Sequence, residues 1–442
     1  MKQNYRPLGD SRRRVCAVFM SALVTGVCFT FGTASGAEFA YDPGFGSEGK
    51  GVVQVFEKGS ISAMLPRQDG GITVAGKARS DDPDNPKNSF YVGVLKANGS
   101  PVVNFGNHGR VETPFPTVWG RATGIAHAPS STFYAVGNFR GESGPWKPLV
   151  YRFHLDGSVD DAFHTYTGED RSTNHQKVSD VAVDQQGRAV VIGNIWRKPN
   201  RKRSILVMRF ESGGKLDRTF GHYGKVELPA KRPGYVDGSR IIPLAGGRIL
   251  IGGALGGYPF VARLNDDGSL DRTFGIGGIA TFARGPGNRC RFQYPCQFTD
   301  MVRTPDGDIR VMANFSYHLD NWIPSIVGLF PNGRIDSDFG YQGRRTVRDW
   351  GTGSPGGRKL TAMDDSSLIM VDEIGATDLQ SRAYRVTQSG NFDPDFGTGG
   401  SLKLAGNYTY GVTALPNGGF AVASARGGWI KAGIIQKFNP VP

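Results

Sequence analysis

The chain has 442 residues, with 52 Lys or Arg against 39 Asp or Glu and only four Cys. Its formal net charge of +13 favours anionic surfaces or polymers as partners, although net charge does not indicate a fold. Beyond the N-terminal region no apolar segment is long enough to span a membrane, which excludes further membrane-spanning helices.

Residues 1–37 have the pattern of a secretory signal peptide. A positively charged segment precedes an apolar stretch, 15–31, and small residues follow at 35–37. A membrane anchor is the less favoured alternative, because the stretch is shorter than the ~20 residues of a span and is interrupted by Thr and Gly. We therefore expect secretion or export to a bacterial periplasm. Since residues 1–37 hold five Lys or Arg and one acidic residue, the mature chain 38–442 carries a net charge of +9.

A short motif recurs along the mature chain. In residues 263–275 it reads Arg-Leu-Asn-Asp-Asp-Gly-Ser-Leu-Asp-Arg-Thr-Phe-Gly. The Phe residues of the seven copies, 54 to 65 residues apart, are Phe45, Phe105, Phe163, Phe220, Phe274, Phe339 and Phe396. An Asp precedes the Phe by three residues in every copy except the second, which has Val102. Self-similarity at such a period predicts a repeat architecture.

Each repeat predicts four short strands. Between Phe220 and Phe274 the strands are expected at 225–228, 239–244, 248–252 and 260–264, separated by turns rich in Gly and Asp. No segment has the pattern of an amphipathic helix. Four antiparallel strands per repeat, seven times over, predict an all-β, seven-bladed β-propeller, with an open solenoid as the alternative.

The two ends of the mature chain complement each other. Residues 434–439 match a fourth strand and stop where the Gly turn should follow, and residues 40–46 supply that turn. We therefore expect the ring to be closed by joining the N- and C-terminal segments. In an open solenoid this complementarity would be a coincidence.

These units resemble the delta-60 repeat family of exported and cell-surface bacterial proteins. The resemblance covers essentially the whole mature chain and implies a propeller-like architecture in an envelope or extracellular setting. It implies no shared reaction, so no catalytic residues are carried over. Two departures are Val102 in the second copy and His164, which replaces the Gly after Phe in the third.

Two cysteines remain in the mature chain. Cys290 and Cys296 are separated by five residues and, in an oxidising compartment, predict a local disulfide that pins a loop. A metal site would need more ligands nearby than the sequence offers.

The repeated Asp residues permit two interpretations. Asp266, Asp267 and Asp271 could bind calcium from one loop, or each Asp could accept backbone N–H groups of a tight turn while the Phe packs between blades. The structural interpretation is favoured because Lys215 lies inside one copy of the turn. We expect no cofactor, with calcium as the less favoured alternative.

The variable loops all lie on one side of the predicted ring. In a four-stranded meander the connections emerge alternately at the two ends, and the Gly turns and motifs share one end. The longer connections at the other end carry all six Trp residues and a surplus of basic residues. Exposed Trp beside Arg or Lys suits sugar rings that bear carboxylate or phosphate groups, although such loops can also be merely solvated. The predicted binding residues are Trp146, Trp196, Arg197, Lys198, Arg201, Lys202, Arg203, Trp322 and Trp429.

The sequence contains no recognisable catalytic motif. It lacks a metal-binding His spacing, a nucleophile elbow and a phosphate-binding loop. Asp320, Glu373 and Asp378 lie in variable loops and could act as a carboxylate pair for glycoside cleavage, or could simply be solvated.

The sequence therefore favours a non-enzymatic binding propeller for an acidic polysaccharide or another anionic envelope polymer. A propeller that binds an envelope protein and a polysaccharide hydrolase or lyase are the alternatives. A secretory signal argues against a nucleic-acid partner, and we expect a monomer.

Overall fold

The computed structural model describes most of the chain from Phe39 to Val441. The segments outside the description are 1–38, 47–49, 57, 80–87, 115–118, 130, 142, 164, 169–173, 198–201, 231–234, 283–295, 319–320, 348–358, 375–379, 427–431 and 442. The predicted signal peptide and His164 therefore lie outside the described residues. Among the described residues no helix is long and apolar enough to cross a membrane.

The described residues form strands and a single short 3-10 turn at Ala245–Gly247. The first fourteen strands are β1 (Phe39–Tyr41), β2 (Val52–Phe56), β3 (Gly59–Pro66), β4 (Ile72–Arg79), β5 (Asn88–Leu95), β6 (Arg110–Pro114), β7 (Trp119–Ala128), β8 (Thr132–Arg140), β9 (Lys147–His154), β10 (His175–Val183), β11 (Ala189–Arg197), β12 (Lys202–Phe210), β13 (Lys225–Pro229) and β14 (Val236–Pro243). The others are β15 (Ile249–Leu255), β16 (Tyr258–Leu264), β17 (Ile279–Thr281), β18 (Gln297–Arg303), β19 (Ile309–His318), β20 (Asn321–Leu329), β21 (Arg344–Thr346), β22 (Lys359–Ala362), β23 (Leu368–Ile374), β24 (Gln380–Val386), β25 (Leu402–Lys403), β26 (Tyr408–Ala414), β27 (Phe420–Arg426) and β28 (Ala432–Pro440).

These strands form seven antiparallel sheets, the blades of a propeller. Blades 1 to 6 are β3–β6, β7–β9, β10–β13, β14–β17, β18–β21 and β22–β25, and blade 7 is β26–β28 with β1 and β2. In blade 2 an isolated bridge, Val150 to Tyr166, stands at the position of the fourth strand. The inner strands β3, β7, β10, β14, β18, β22 and β26 contact one another in a closed ring. This confirms the predicted seven-bladed, all-β propeller and excludes the open solenoid.

The ring is closed by strands from both ends of the chain. On β28, Phe438 is paired with Tyr41 of β1, and Gln436 is paired with Val52 of β2. Blade 7 thus takes three strands from the C-terminal segment and its outermost strands from the N-terminal segment, as the complementary ends predict.

The sequence repeat and the blade are offset by one strand. β13, the first strand of the repeat after Phe220, pairs with β12 at the outside of blade 3, whereas β14 is the innermost strand of blade 4. The motif therefore turns from the third to the outermost strand within one blade, and a variable connection then leads to the axis of the next blade.

The core lies between the blades. In β11, Val190, Val191 and Ile192 are all fully buried, because neighbouring blades cover both faces of the sheet. The motif residue Phe220 is fully buried and packs with residues of blade 4, which include Ile251. Burial of such a side chain contributes about 1.5–3 kcal/mol.

Polar side chains on some second strands also join neighbouring blades. The side-chain amide of Asn138 donates to Val178 O and its oxygen accepts from Val178 N, both at 2.7 Å. At the equivalent place in blade 3, Asn194 Oδ1 accepts from Gly238 N at 2.9 Å. These bonds satisfy backbone groups of the inner strands that would otherwise have no partner.

Candidate functional site: two differently charged ends of the propeller

The repeated motif builds ion pairs at one end of the blades. We call this end the turn face; in blade 4 it carries the connections 244–248 and 265–278. Arg209 Nε lies 2.7 Å from Asp217 Oδ2, and its guanidinium lies 4.6 Å from the ring centre of Phe220. Arg209 is fully buried and its Nη1 donates to Asp266 O of the next blade at 2.6 Å. The Asp of the motif therefore neutralises the buried Arg209, and the hydrogen bond of Arg209 to the next blade joins two blades.

The same pair recurs around the ring. The equivalent contacts are Arg152 to Asp160 at 2.6 Å, Arg263 to Asp271 at 2.7 Å, Arg385 to Asp393 at 3.5 Å and Lys437 to Asp42 at 3.0 Å. In blade 5, Gly328 occupies the Arg position, and Arg310 of the adjacent strand β19 reaches Asp336 at 3.1 Å instead.

The second copy of the motif lacks both partners of the pair. Val94 stands where four other blades have Arg and blade 7 has Lys, and Val102 stands where the six other copies have Asp. The backbone contact is retained, since Val102 N donates to Val94 O at 2.9 Å just as Asp217 N donates to Arg209 O at 2.9 Å. The departure at Val102 is therefore half of a paired replacement of two charges by two apolar side chains.

The carboxylates of the motif are occupied by protein donors. Asp271 Oδ1 accepts from the Thr273 hydroxyl at 2.6 Å and from Thr273 N at 3.0 Å, and Asp271 Oδ2 faces Arg263. The Thr273 hydroxyl, together with Arg263, holds the pKa of Asp271 below its usual value, despite the opposing effect of burial. These contacts support the structural interpretation of the motif. In the part of the chain that the structure describes, no group of three or more His, Cys, Asp or Glu could hold a metal ion.

The opposite end of the propeller, which we call the loop face, carries the variable connections such as those between β11 and β12 and between β13 and β14. At this end, aromatic and basic side chains of blades 2 and 3 alternate in one continuous row. The members of this Trp–cation row are Trp119, Arg140, Trp146, Lys177, Trp196 and Arg203.

Each cation of the row lies against one or two indole rings. The Arg140 guanidinium lies 5.7 Å from the ring centre of Trp119 and 5.0 Å from that of Trp146. Lys177 Nζ lies 4.4 Å from the ring centre of Trp146 and 5.5 Å from that of Trp196. These distances are within the range of cation–π attraction, so the rings hold the cations without neutralising them.

The positive charges of this region form no ion pair with a described carboxylate. Within the described residues none of Arg121, Arg140, Lys177 and Arg203 forms an ion pair, and the buried Nε of Arg140 has no hydrogen-bond partner. Burial, and then repulsion from Arg121 and Arg140, lower the pKa of Lys177, while Asp237 acts in the opposite direction. Like charges held together in a partly dry site favour a bound anion.

Polar groups of blade 4 border the row. The Tyr235 hydroxyl donates to Asp237 Oδ2 at 3.2 Å, and Asp237 also accepts from Ser239 at 2.8 Å and from Asn194 at 2.9 Å. Burial and the neighbouring Asp237 carboxylate raise the pKa of Tyr235. Tyr235 therefore keeps its proton at neutral pH and presents a hydroxyl at the edge of the site.

The structure brings only some of the predicted binding residues together. Trp146, Trp196 and Arg203 belong to the row. Arg197 instead forms an ion pair with Glu227, and Lys202 is exposed at the start of β12 without joining the row. Among the other predictions, Lys198, Arg201 and Trp429 lie outside the described residues, and Trp322 lies on β20, two blades away from the row.

The sequence placed Trp119 among the six Trp of the variable connections but not in the predicted binding set, and it did not indicate Arg121, Arg140 or Lys177. A partial signal was present in the strand register. Trp119 is directly opposite Arg140 on the paired strands β7 and β8, and Trp196 is likewise opposite Arg203 on β11 and β12. The contacts of Lys177 with Trp146 in blade 2 depend on the packing of two blades.

The remaining predictions concern the candidate catalytic carboxylates and the disulfide. Glu373 is buried, and its Oε1 accepts from Thr409 N of blade 7 at 2.8 Å, so it serves blade packing and is not a solvated catalytic candidate. Asp320 and Asp378 lie outside the described residues. Cys296 is buried, but Cys290 lies outside the description, so their pairing stays a prediction.

Comparisons with known proteins agree with the fold. The family described as "Domain of unknown function (DUF5122) beta-propeller" matches residues 247–274, which run from the turn before β15 to the motif Phe274. This match fits a propeller family, while the resemblance to delta-60 repeats stays a prediction. No curated protein matches the chain in sequence.

Three solved structures have a low similarity to this chain. The WD40 β-propeller domain of Doa1 is 10% identical with a TM-score of 0.47, and the match covers 88% of this chain and 95% of that one. A protein of unknown function from Dyadobacter fermentans is 11% identical with a TM-score of 0.44 and coverages of 88% and 100%. An α-L-arabinanase from Penicillium chrysogenum is 8% identical with a TM-score of 0.48 and coverages of 72% and 92%. Similarity at this level concerns the fold alone.

Proposed function

We propose that this protein is an exported binding propeller of the delta-60 type, and that it recognises an acidic polysaccharide or a similar anionic envelope polymer at the Trp–cation row. The observation that carries this proposal is the set of cations around Lys177 that lie on Trp rings and have no carboxylate partner among the described residues.

The chemistry of the row suits a polymer of charged sugars. Arg140, Lys177 and Arg203 can each donate charge-assisted hydrogen bonds to carboxylate, sulfate or phosphate groups. Trp119 is 48% exposed and offers an aromatic surface on which a sugar ring can stack. Tyr235 and Asp237 border the row with groups that can hydrogen-bond sugar hydroxyls. The cations and indole rings of the row can bind and orient a ligand, and we therefore favour a binding function over cleavage.

The test is retention of the purified protein on immobilised alginate, hyaluronan and heparin at low and high salt. We expect retention that weakens with salt, because exposed ionic contacts are screened. Lys177→Met and Arg140→Gln should each weaken binding about tenfold, as expected for loss of one charge-assisted contact.

Lys202→Gln is the matched control, since it removes one positive charge from the same face outside the row. Loss of binding in Lys202→Gln equal to that in Lys177→Met would show a diffuse charge effect and contradict the assignment of the site. Measurement of polymer length after incubation separates the alternatives: shortened polymer would instead indicate a hydrolase or lyase, and the absence of retention would favour a protein partner.

A further inference from the structure

A concavity of about 500 Å³ lies on the turn face, at the ends of the inner strands of blades 3, 4 and 5. Apolar groups form much of its wall, among them Leu244, Leu250, Ile309 and Pro331. Two exposed basic residues, Arg248 and Arg303, also line it, as do the buried Arg263 and the buried Asp184. The volume is in the range of small-molecule sites.

The first basic residue, Arg248, has lost the partner that its counterpart has. In blade 3 the turn Asp184-Gln185-Gln186-Gly187-Arg188 places Arg188 Nε 2.7 Å from Asp184 Oδ2. In blade 4 the turn of equal length between β14 and β15 reads Leu244-Ala245-Gly246-Gly247-Arg248. The Arg is retained, but Leu244 replaces the Asp, and the polar contact of Arg248 within the described part of the chain is a hydrogen bond from its Nε to Ala245 O at 3.3 Å.

The second basic residue, Arg303, departs from the other inner strands. It is the last paired residue of β18, opposite Ile309 of β19. The corresponding residues of the other six inner strands are all apolar: Pro66, Ala128, Val183, Pro243, Ala362 and Ala414. Within the described residues neither Arg303 nor Arg248 forms an ion pair.

We propose that this concavity binds a small organic anion that carries its acidic group on an apolar body. The anion lies between Arg248 and Arg303 while the apolar body contacts Leu244 and Pro331. The other Arg of the wall, Arg263, is occupied by Asp271 at 2.7 Å and by Pro331 O at 2.8 Å, so it shapes the wall and leaves the two exposed Arg residues to hold the charge. This site is separate from the Trp–cation row, which lies at the opposite end of the blades.

The experiment measures binding of 4-phenylbutyrate and of its neutral amide by ligand-observed NMR titration. Wild-type protein should bind the acid at least about tenfold more tightly than the amide, because only the acid forms charge-assisted hydrogen bonds. Arg303→Gln should lower affinity for the acid by about tenfold. Leu244→Asp should do the same, since it restores the carboxylate that holds the equivalent Arg188.

Lys202→Gln, an exposed loop-face residue outside both proposed sites, is the control and should bind 4-phenylbutyrate as wild type does, whether or not the polymer proposal holds. Equal affinity for acid and amide, or wild-type affinity in both Arg303→Gln and Leu244→Asp, would overturn the proposal. Thermal melting checks that each variant folds. If one does not, Arg248→Gln replaces it, because that side chain is exposed and its removal leaves no buried group unpaired.

Discussion

Arginine and lysine side chains lie on aromatic rings at both ends of this propeller, but their surroundings differ. On the turn face, Arg209 lies over Phe220 and is also paired with Asp217 at 2.7 Å. On the loop face, Lys177 lies over Trp146 at 4.4 Å and has no such partner among the described residues. The first arrangement holds blades together, whereas the second keeps a positive charge available to a ligand.

The difference follows from how each charge is compensated. A carboxylate cancels the charge of Arg209 and allows its burial, whereas an indole ring attracts a cation without cancelling its charge. A contact between a cation and a ring therefore indicates a ligand site only where the carboxylate is missing. The concavity beside Arg248 extends the same comparison, because there Leu244 replaces the compensating Asp on the turn face itself.

The largest effect should come from the turn face. Arg209→Ala should lower the free energy of unfolding by about 3–5 kcal/mol, because the buried Asp217 loses its nearest cation and is left with Arg188 at 3.4 Å. Urea denaturation measures this change. Arg203→Ala, at the end of the Trp–cation row, is the comparison and should cost less than about 1 kcal/mol, since that side chain is exposed. Similar losses in the two variants would erase the distinction between the faces.

The apolar pair in blade 1 should give the next largest effect. Val102→Asp should lower the free energy of unfolding by about 2–4 kcal/mol, because the new carboxylate faces Val94 and not a cation. The double variant Val94→Arg/Val102→Asp should recover about 1–3 kcal/mol of that loss through the restored pair. If the double variant is no more stable than the sum of the two single-variant effects predicts, the side chains at positions 94 and 102 are not coupled.

Acid should weaken the turn face selectively. Hydrogen bonds from Thr273 lower the pKa of Asp271, and the pKa of Asp217 is likewise lowered, with Thr219 and Arg209 outweighing burial. These carboxylates therefore stabilise the fold above the ordinary Asp pKa of 3.8, and their contribution is lost as pH falls through their lower folded values. Urea denaturation at pH 7 and pH 3 should show a smaller loss in Arg209→Ala than in wild type. An equal loss would indicate that other groups control acid unfolding.

The smallest effect has the opposite sign and belongs to the loop face. Burial and neighbouring Arg side chains lower the pKa of Lys177, so its charged form opposes folding at neutral pH, and this cost fades as pH rises from the folded pKa towards the ordinary value. Lys177→Met should raise the melting temperature by about 1–2 °C at pH 7 while weakening polymer retention. A lower melting temperature would mean that Lys177 stabilises the blade seam.

The sequence alone determined the architecture. Seven copies of a motif, short apolar runs between Gly turns and the complementary segments 40–46 and 434–439 predicted the closed propeller, because strands and turns are specified by local patterns. Alternation of the connections also assigned the variable loops to one end. The sequence did not indicate which strand of a blade is innermost, because all four strands of a repeat are short and have an apolar pattern.

Only the tertiary structure decided which charges are compensated. The basic run 197–203 drew attention in the sequence, yet Arg197 pairs with Glu227, while Lys177 and Arg140 complete the row with Trp146. Arg197 and Glu227 come from different strands of blade 3. Lys177 and Trp146 come from adjacent blades, whereas Arg140 and Trp146 lie at opposite ends of one loop. The free charge of a side chain depends on what packs against it, and here that neighbour lies on another strand of the blade or in the next blade, 30 residues away in the chain for Arg197 and Glu227.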